Sequence, residues 1–237
     1  MRLGILIIGS LYWDRSPVRC RWRQARLSGM GDRRVRVPIR YGRKSSKRGN
    51  TYTMVFAKSC SEPGKLGTGL VAPACVECGK PEHLLEEAQY LWAAEQDSER
   101  VGGICADWGR ACILLNPAST PSEAIQKAWQ AKIKAAGNAY TVPPTADGEG
   151  DILDATTGRA LFDWPIDDET QQPLRGFDLL IMTATVPTLT SRQYPAAKEI
   201  ADAWKEDKLE NILYFHNNRK YGITTFEDAQ ILAVLRG

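Results

Sequence analysis

Two places in this 237-residue chain hold residues that could do chemistry together. The first is Gly9-Ser10-Leu11-Tyr12, which follows the apolar run Leu3-Gly4-Ile5-Leu6-Ile7-Ile8. A buried strand that ends in small residues lets the backbone turn its N–H groups outward together, and such a nest holds an anion or a polarised carbonyl oxygen. The second is Glu95, at the end of Leu84-Leu85-Glu86-Glu87-Ala88-Gln89-Tyr90-Leu91-Trp92-Ala93-Ala94-Glu95. At 3.6 residues per turn, Leu84, Ala88, Leu91 and Glu95 form one stripe, with Glu95 within about 20° of Leu84 in projection. A carboxylate beside Leu91 and Trp92 has its charged form disfavoured by burial unless a partner compensates, which is how a general base is tuned. Glu86 and Glu87 fall off the stripe and read as solvated charges. The plainer alternatives are a simple strand-to-turn junction at Gly9 and a helix that frays before Glu95 and leaves its carboxylate in water.

Other chemistries find little here. With His83 and His216 the only histidines, a Ser-His-Asp arrangement would rest on one of those two, and there is no P-loop and no Gly-x-Ser-x-Gly elbow. Gly67-Thr68-Gly69-Leu70-Val71-Ala72 fits the letters of a dinucleotide fingerprint, but Pro73 follows where a helix should run. Cys75-Val76-Glu77-Cys78, with Cys60 before it and His83 after it, can be drawn as a zinc site of three cysteines and one histidine, though only as a half-motif; loop cysteines explain it as well. No metal and no cofactor is expected. Tyr214-Phe215-His216-Asn217-Asn218-Arg219 could line a pocket, and a strand end running into a turn is the preferred explanation.

The elements that must position the two candidate groups follow from periodicity. Val35–Tyr41 and Thr51–Phe56 are rich in β-branched and aromatic residues around a charged stretch, Arg43-Lys44-Ser45-Ser46-Lys47-Arg48-Gly49-Asn50, that suits a solvated hairpin tip. Pro81 introduces a helix over about 83–95, Ala111–Leu115 reads as a buried strand, and Ser119-Thr120-Pro121-Ser122-Glu123 is a helix start with Pro near N1, whose helix has the face Ile125, Ala128, Trp129, Lys132 and Ile133. Residues 137–151 are the natural connection. Beyond it come short strands about Thr157-Gly158, a strand over 177–185, a helix over about 195–204, and a last helix opened by Thr224-Thr225-Phe226-Glu227 as a capping box. Strands and helices alternate without a regular βαβ rhythm, so the class is α+β.

Composition sets the outer bounds. A 43% hydrophobic content is enough to bury a real core. The opening apolar run is too short to span a bilayer and lacks a cleavage pattern, so a cytoplasmic protein without structural disulfides among its six cysteines, and no membrane partner, is expected. Arg15 to Arg48 holds thirteen Arg and Lys against one acid, Asp32, whereas the remainder is acidic. That segment either binds a polyanion such as nucleic acid or pairs with the acidic remainder. Arg15 or Arg19 could meet an acidic substrate, although a structural or surface role suits either better.

Gly9-Ser10-Leu11 after a first strand, followed some eighty residues later by Leu91-Trp92-Ala93-Ala94-Glu95, resembles the gamma-glutamyl cyclotransferase-like superfamily, over roughly residues 1–115. Members carry a Tyr-Gly-Ser-Leu or Tyr-Gly-Ser-Asn loop and a Leu-Asp-x-x-Glu segment. Here Ile8 stands at the loop's Tyr, Trp92 at the Asp, and no Gly follows Glu95. The resemblance implies a mixed β-barrel with flanking helices, formed by residues 1–137, with 138–237 as an extension packed on or completing the same domain. It also implies cyclisation of a small-molecule gamma-glutamyl compound to 5-oxoproline with release of an amine or amino acid. Glu95 would be the catalytic base, and Gly9, Ser10, Leu11 and Tyr12 would bind substrate. The alternative is a non-catalytic or nucleic-acid-binding module that uses Arg15 to Arg48.

Overall fold

The computed structural model describes residues 1–29, 31–46, 49, 51–206 and 210–236. In chain order its elements are β1 (Leu3–Ile7), α1 (Pro17–Arg26), β2 (Arg33–Val37), β3 (Ile39–Ser45), β4 (Thr51–Phe56), β5 (Gly67–Pro73), α2 (Pro81–Gln96), β6 (Cys105–Ala106), β7 (Gly109–Leu115), α3 (Glu123–Ala136), β8 (Leu153–Asp154), β9 (Arg159–Ala160), β10 (Ile166–Asp167), β11 (Leu179–Thr185), α4 (Ala197–Glu206), α5 (Glu210–Lys220) and α6 (Asp228–Arg236). The fold is mixed α+β.

The runs that read as buried strands form the centre of one mixed sheet. Its order is β10-β2-β5-β1-β11-β7-β9-β8, with β6 folded onto β7. All five residues of β1 are buried, between β5 antiparallel on one side and β11 parallel on the other. A strand covered on both faces needs such an unbroken apolar run. β11 comes from the last third of the chain yet lies between β1 and β7, so residues beyond 138 supply a central strand. The sheet is open rather than a closed barrel: among the described residues its outer strands β10 and β8 pair with no common neighbour. Both are only two residues long, too short to carry a ladder around to closure. Pro38, which has no N–H to donate, separates β2 from β3, and β3 then pairs with β4 in a hairpin of its own.

Helix α2 lies on β7 and β11, with α1 and α3 against it; α4 packs on α6 and β4. Leu84, Ala88 and Leu91 are buried, as the stripe requires. Glu87 is buried too, contrary to the expectation of a solvated charge, because α1 brings Arg26 to 2.6 Å from its carboxylate. Two C-terminal expectations also change. Residues 214–219 are helical, in α5, with Tyr214, Phe215 and Asn218 buried at helical spacing. The α6 cap is shifted by one residue: the Thr225 N–H and hydroxyl donate to Asp228, 2.9 and 2.7 Å away, while Glu227 pairs with Arg40. Gly67 to Ala72 lie inside β5, as a strand and not a phosphate loop. No helix among the described residues is long and apolar enough to cross a membrane.

Candidate functional site

The turn that closes β1 and the end of α2 meet in a cavity of about 680 Å³. Gly9, Ser10 and Leu11 line it, and so does Glu95, half-buried in the last turn of α2. The helix does not fray before Glu95. It runs to Gln96 and stops at Asp97, whose left-handed backbone (φ 54°) Asp tolerates better than most residues.

Arg19, from α1, fixes the loop against the helix end. Its Nε donates to the Ala94 carbonyl (3.1 Å) and its Nη2 to the Glu95 carbonyl (3.2 Å). Its Nη1 reaches Asp14 at 2.7 Å and Ser10 Oγ at 3.4 Å. A planar fork of donors can satisfy helix-end carbonyls and a carboxylate at once, which a lysine cannot. Arg19 is therefore structural, and Arg15 is exposed. A second clamp adds Arg23, whose guanidinium donates to the Leu11 carbonyl at 2.6 Å. The turn itself is a single 3-10 turn over Ser10–Tyr12, in which the Tyr12 N–H donates to the Gly9 carbonyl. The first amides of such a turn have no acceptor within it, and here they belong to cavity-lining residues.

Tyr12 faces elsewhere. Its hydroxyl donates to Asp32 at 2.7 Å and its ring meets Tyr221 edge-on, and it is not part of the cavity wall. Burial, with Asp32 adding to it, pushes the phenol up to about 12.

Among the wall residues, Arg43, Trp108 and Thr183 were not expected at the site from the sequence, whereas Tyr214 comes from the stretch read as able to line a pocket. Arg43 is not in the solvated hairpin tip but inside β3, and Lys47, Arg48 and Asn50 of that expected tip lie outside the described residues. The β3–β4 register slips between Tyr41 and Arg43, and such a bulge re-aims the residues after it. Gly42, a glycine in a strand of bulky residues, was the available signal. Arg43 lies 4.9 Å over the ring of Trp108, which stacks on Trp92 of α2. Burial lowers the Arg43 pKa from its ordinary value, and the Glu95 carboxylate partly offsets this. Tyr214, from α5, comes close enough to the loop that a Cβ on Gly9 would sit 2.8 Å from its hydroxyl.

Among the described residues, six of the thirteen cations of the basic segment are paired with acids of the chain. Arg19, Arg21, Arg26, Arg33, Arg36 and Arg40 pair with Asp14, Glu99, Glu87, Asp167, Asp168 and Glu227. Among the described residues no group of three or more His, Cys, Asp or Glu could hold a metal. Cys75 is exposed while Cys60 and Cys78 are buried, and His83 Nδ1 is 2.9 Å from the Glu77 carbonyl. Burial pushes the Cys60 and Cys112 thiols up to about 12, which makes both poor nucleophiles near neutral pH. Comparison with known protein families, with characterised proteins and with solved structures returns no match.

Proposed function

We propose that this protein is a gamma-glutamyl cyclotransferase-like enzyme that converts a gamma-glutamyl compound into 5-oxoproline and a free amine or amino acid. The observation that carries the reading is the shared cavity: half-buried Glu95 and the turn after the first strand line one space, and Arg19 ties that turn to the backbone carbonyl of Glu95. Glu95 accepts a proton from the substrate's α-amine, which attacks the carbonyl carbon of its own side chain. A C–N bond closes the five-membered ring while the negative charge collects on the carbonyl oxygen. Amides of the Gly9-Ser10-Leu11 turn stabilise that oxygen. Collapse breaks the original amide bond, and Glu95 returns its proton to the leaving nitrogen. No water is consumed and no cofactor is needed. The tethered geometry contributes much of the rate, since reactants held in place avoid the entropy cost of meeting.

The test is incubation of the purified protein with a panel of gamma-glutamyl amines and dipeptides, with 5-oxoproline as the readout. Wild type is expected to form it, and Glu95→Gln to lose about 10²- to 10⁴-fold in kcat, the usual contribution of a general base. No 5-oxoproline from any member of the panel defeats the reading, and an undiminished Glu95→Gln enzyme removes Glu95 from the mechanism.

A further inference from the structure

The charged groups around the cavity are mostly engaged by the chain itself. Arg19 is taken up by Asp14, Ser10 and two carbonyls; Asp14 also accepts from the Ser16 N–H, and Asp97 from the Ser16 hydroxyl at 2.6 Å. Arg43 differs. Among the described residues its guanidinium makes no hydrogen bond and no ion pair; it rests on Trp108 with the Glu95 charge within electrostatic reach. A second wall group shares this condition: Thr183, in β11, is 6% exposed and its hydroxyl has no partner among the described residues. Buried polar groups in folded proteins are nearly always bonded, so a buried hydroxyl without a partner, on a residue of the cavity wall, points to a bound molecule that completes it.

A guanidinium fork and a hydroxyl match a carboxylate, which accepts two parallel N–H bonds and one more from the hydroxyl. The face of Trp108 holds the guanidinium without consuming its donors. The same cavity presents a carboxylate, Glu95, to a group that gives up a proton. Together these complement a free α-amino-acid end, with the amine toward Glu95 and the carboxylate toward Arg43.

We propose that Arg43, assisted by Thr183, binds the α-carboxylate of the substrate and thereby restricts the site to compounds with a free α-amino-acid group. This rests on the reading of Glu95 as the acceptor of the amine proton. It also divides the anion-binding work: the Gly9-Ser10-Leu11 amides are left to the side-chain carbonyl oxygen, where charge develops.

The test uses unreactive probes, L-5-oxoproline and its carboxamide, titrated calorimetrically into wild type, Arg43→Gln, Arg43→Lys and Thr183→Val, with thermal melts as a check of folding. Wild type is expected to bind the carboxylate at least about tenfold more tightly than the carboxamide, and Arg43→Gln to weaken the carboxylate about 10- to 100-fold and leave the carboxamide unchanged. Arg43→Lys should retain part of the preference, and Thr183→Val, which keeps the shape and loses the hydroxyl, should weaken the carboxylate several-fold. A folded Arg43→Gln protein that keeps the full preference overturns the proposal, even where the wild type makes 5-oxoproline. Arg43-dependent carboxylate binding in a protein that makes no 5-oxoproline supports the anchor and defeats the cyclotransferase reading instead. Should Arg43→Gln not fold, unchanged carboxylate affinity in Thr183→Val overturns it.

Discussion

The contact between Gly9 and Tyr214 gives the most exacting test of how the cavity is built. Gly9 has an extended backbone (φ −175°, ψ −147°) that any residue can adopt, so alanine there meets no backbone strain. What alanine meets is the Tyr214 hydroxyl, 2.8 Å from the new Cβ, where carbon and oxygen at ordinary contact need well over 3 Å. Tyr214 is buried at 3% exposure and wedged edge-on against Trp13, with little room to retreat. Forcing an extra methyl into such a place costs about 1–3 kcal/mol. The second-nearest atom is Cζ of the same ring at 3.8 Å, an ordinary contact, so deleting only the hydroxyl relieves the clash. Tyr214→Phe alone should cost about 1 kcal/mol, since the hydroxyl accepts from the Met54 N–H at 3.4 Å. In the Gly9→Ala, Tyr214→Phe double variant most of the alanine penalty should vanish, which leaves a coupling of about 1–2 kcal/mol in favour of the pair. Urea unfolding of the four proteins, compared at equal slope, measures that coupling. Simple additivity to within about 0.5 kcal/mol, or a neutral Gly9→Ala, would refute the close approach.

Two further outcomes follow from the clamp and from the distal ion pair. Arg19→Met leaves Asp14 without its cation in a pair whose side chains are 11% and 20% exposed, so it should cost about 3–5 kcal/mol in urea unfolding, with Arg19→Lys intermediate; a loss under about 1 kcal/mol would show that the bridge does not hold the loop. Burial pushes the Glu227 carboxyl up to about 7, with Arg40 offsetting only part of this. The folded protein therefore keeps a proton that the unfolded chain releases in the ordinary carboxylate range. The stability this confers is complete below that range and is lost as pH rises to about 7. Denaturation midpoints should fall across that window, more shallowly in Glu227→Gln; an unaltered pH slope in the variant contradicts the assignment.

What could be read from the chain alone were features with a local period. The apolar run into Gly9-Ser10-Leu11 marked a central strand and the turn after it. The 3.6-residue stripe marked α2 and set Glu95 at its cavity end, since which face a helical residue occupies depends only on its neighbours in sequence. The tertiary structure decided the rest. It set β11 between β1 and β7, left the sheet open, drew Arg26 onto Glu87, and turned 214–219 into a helix. It also brought Arg43, Trp108, Thr183 and Tyr214 from four separate segments to one wall. No short-range pattern encodes those meetings, because strand order and the partners of a buried polar group are chosen by the burial and hydrogen bonding of the whole chain.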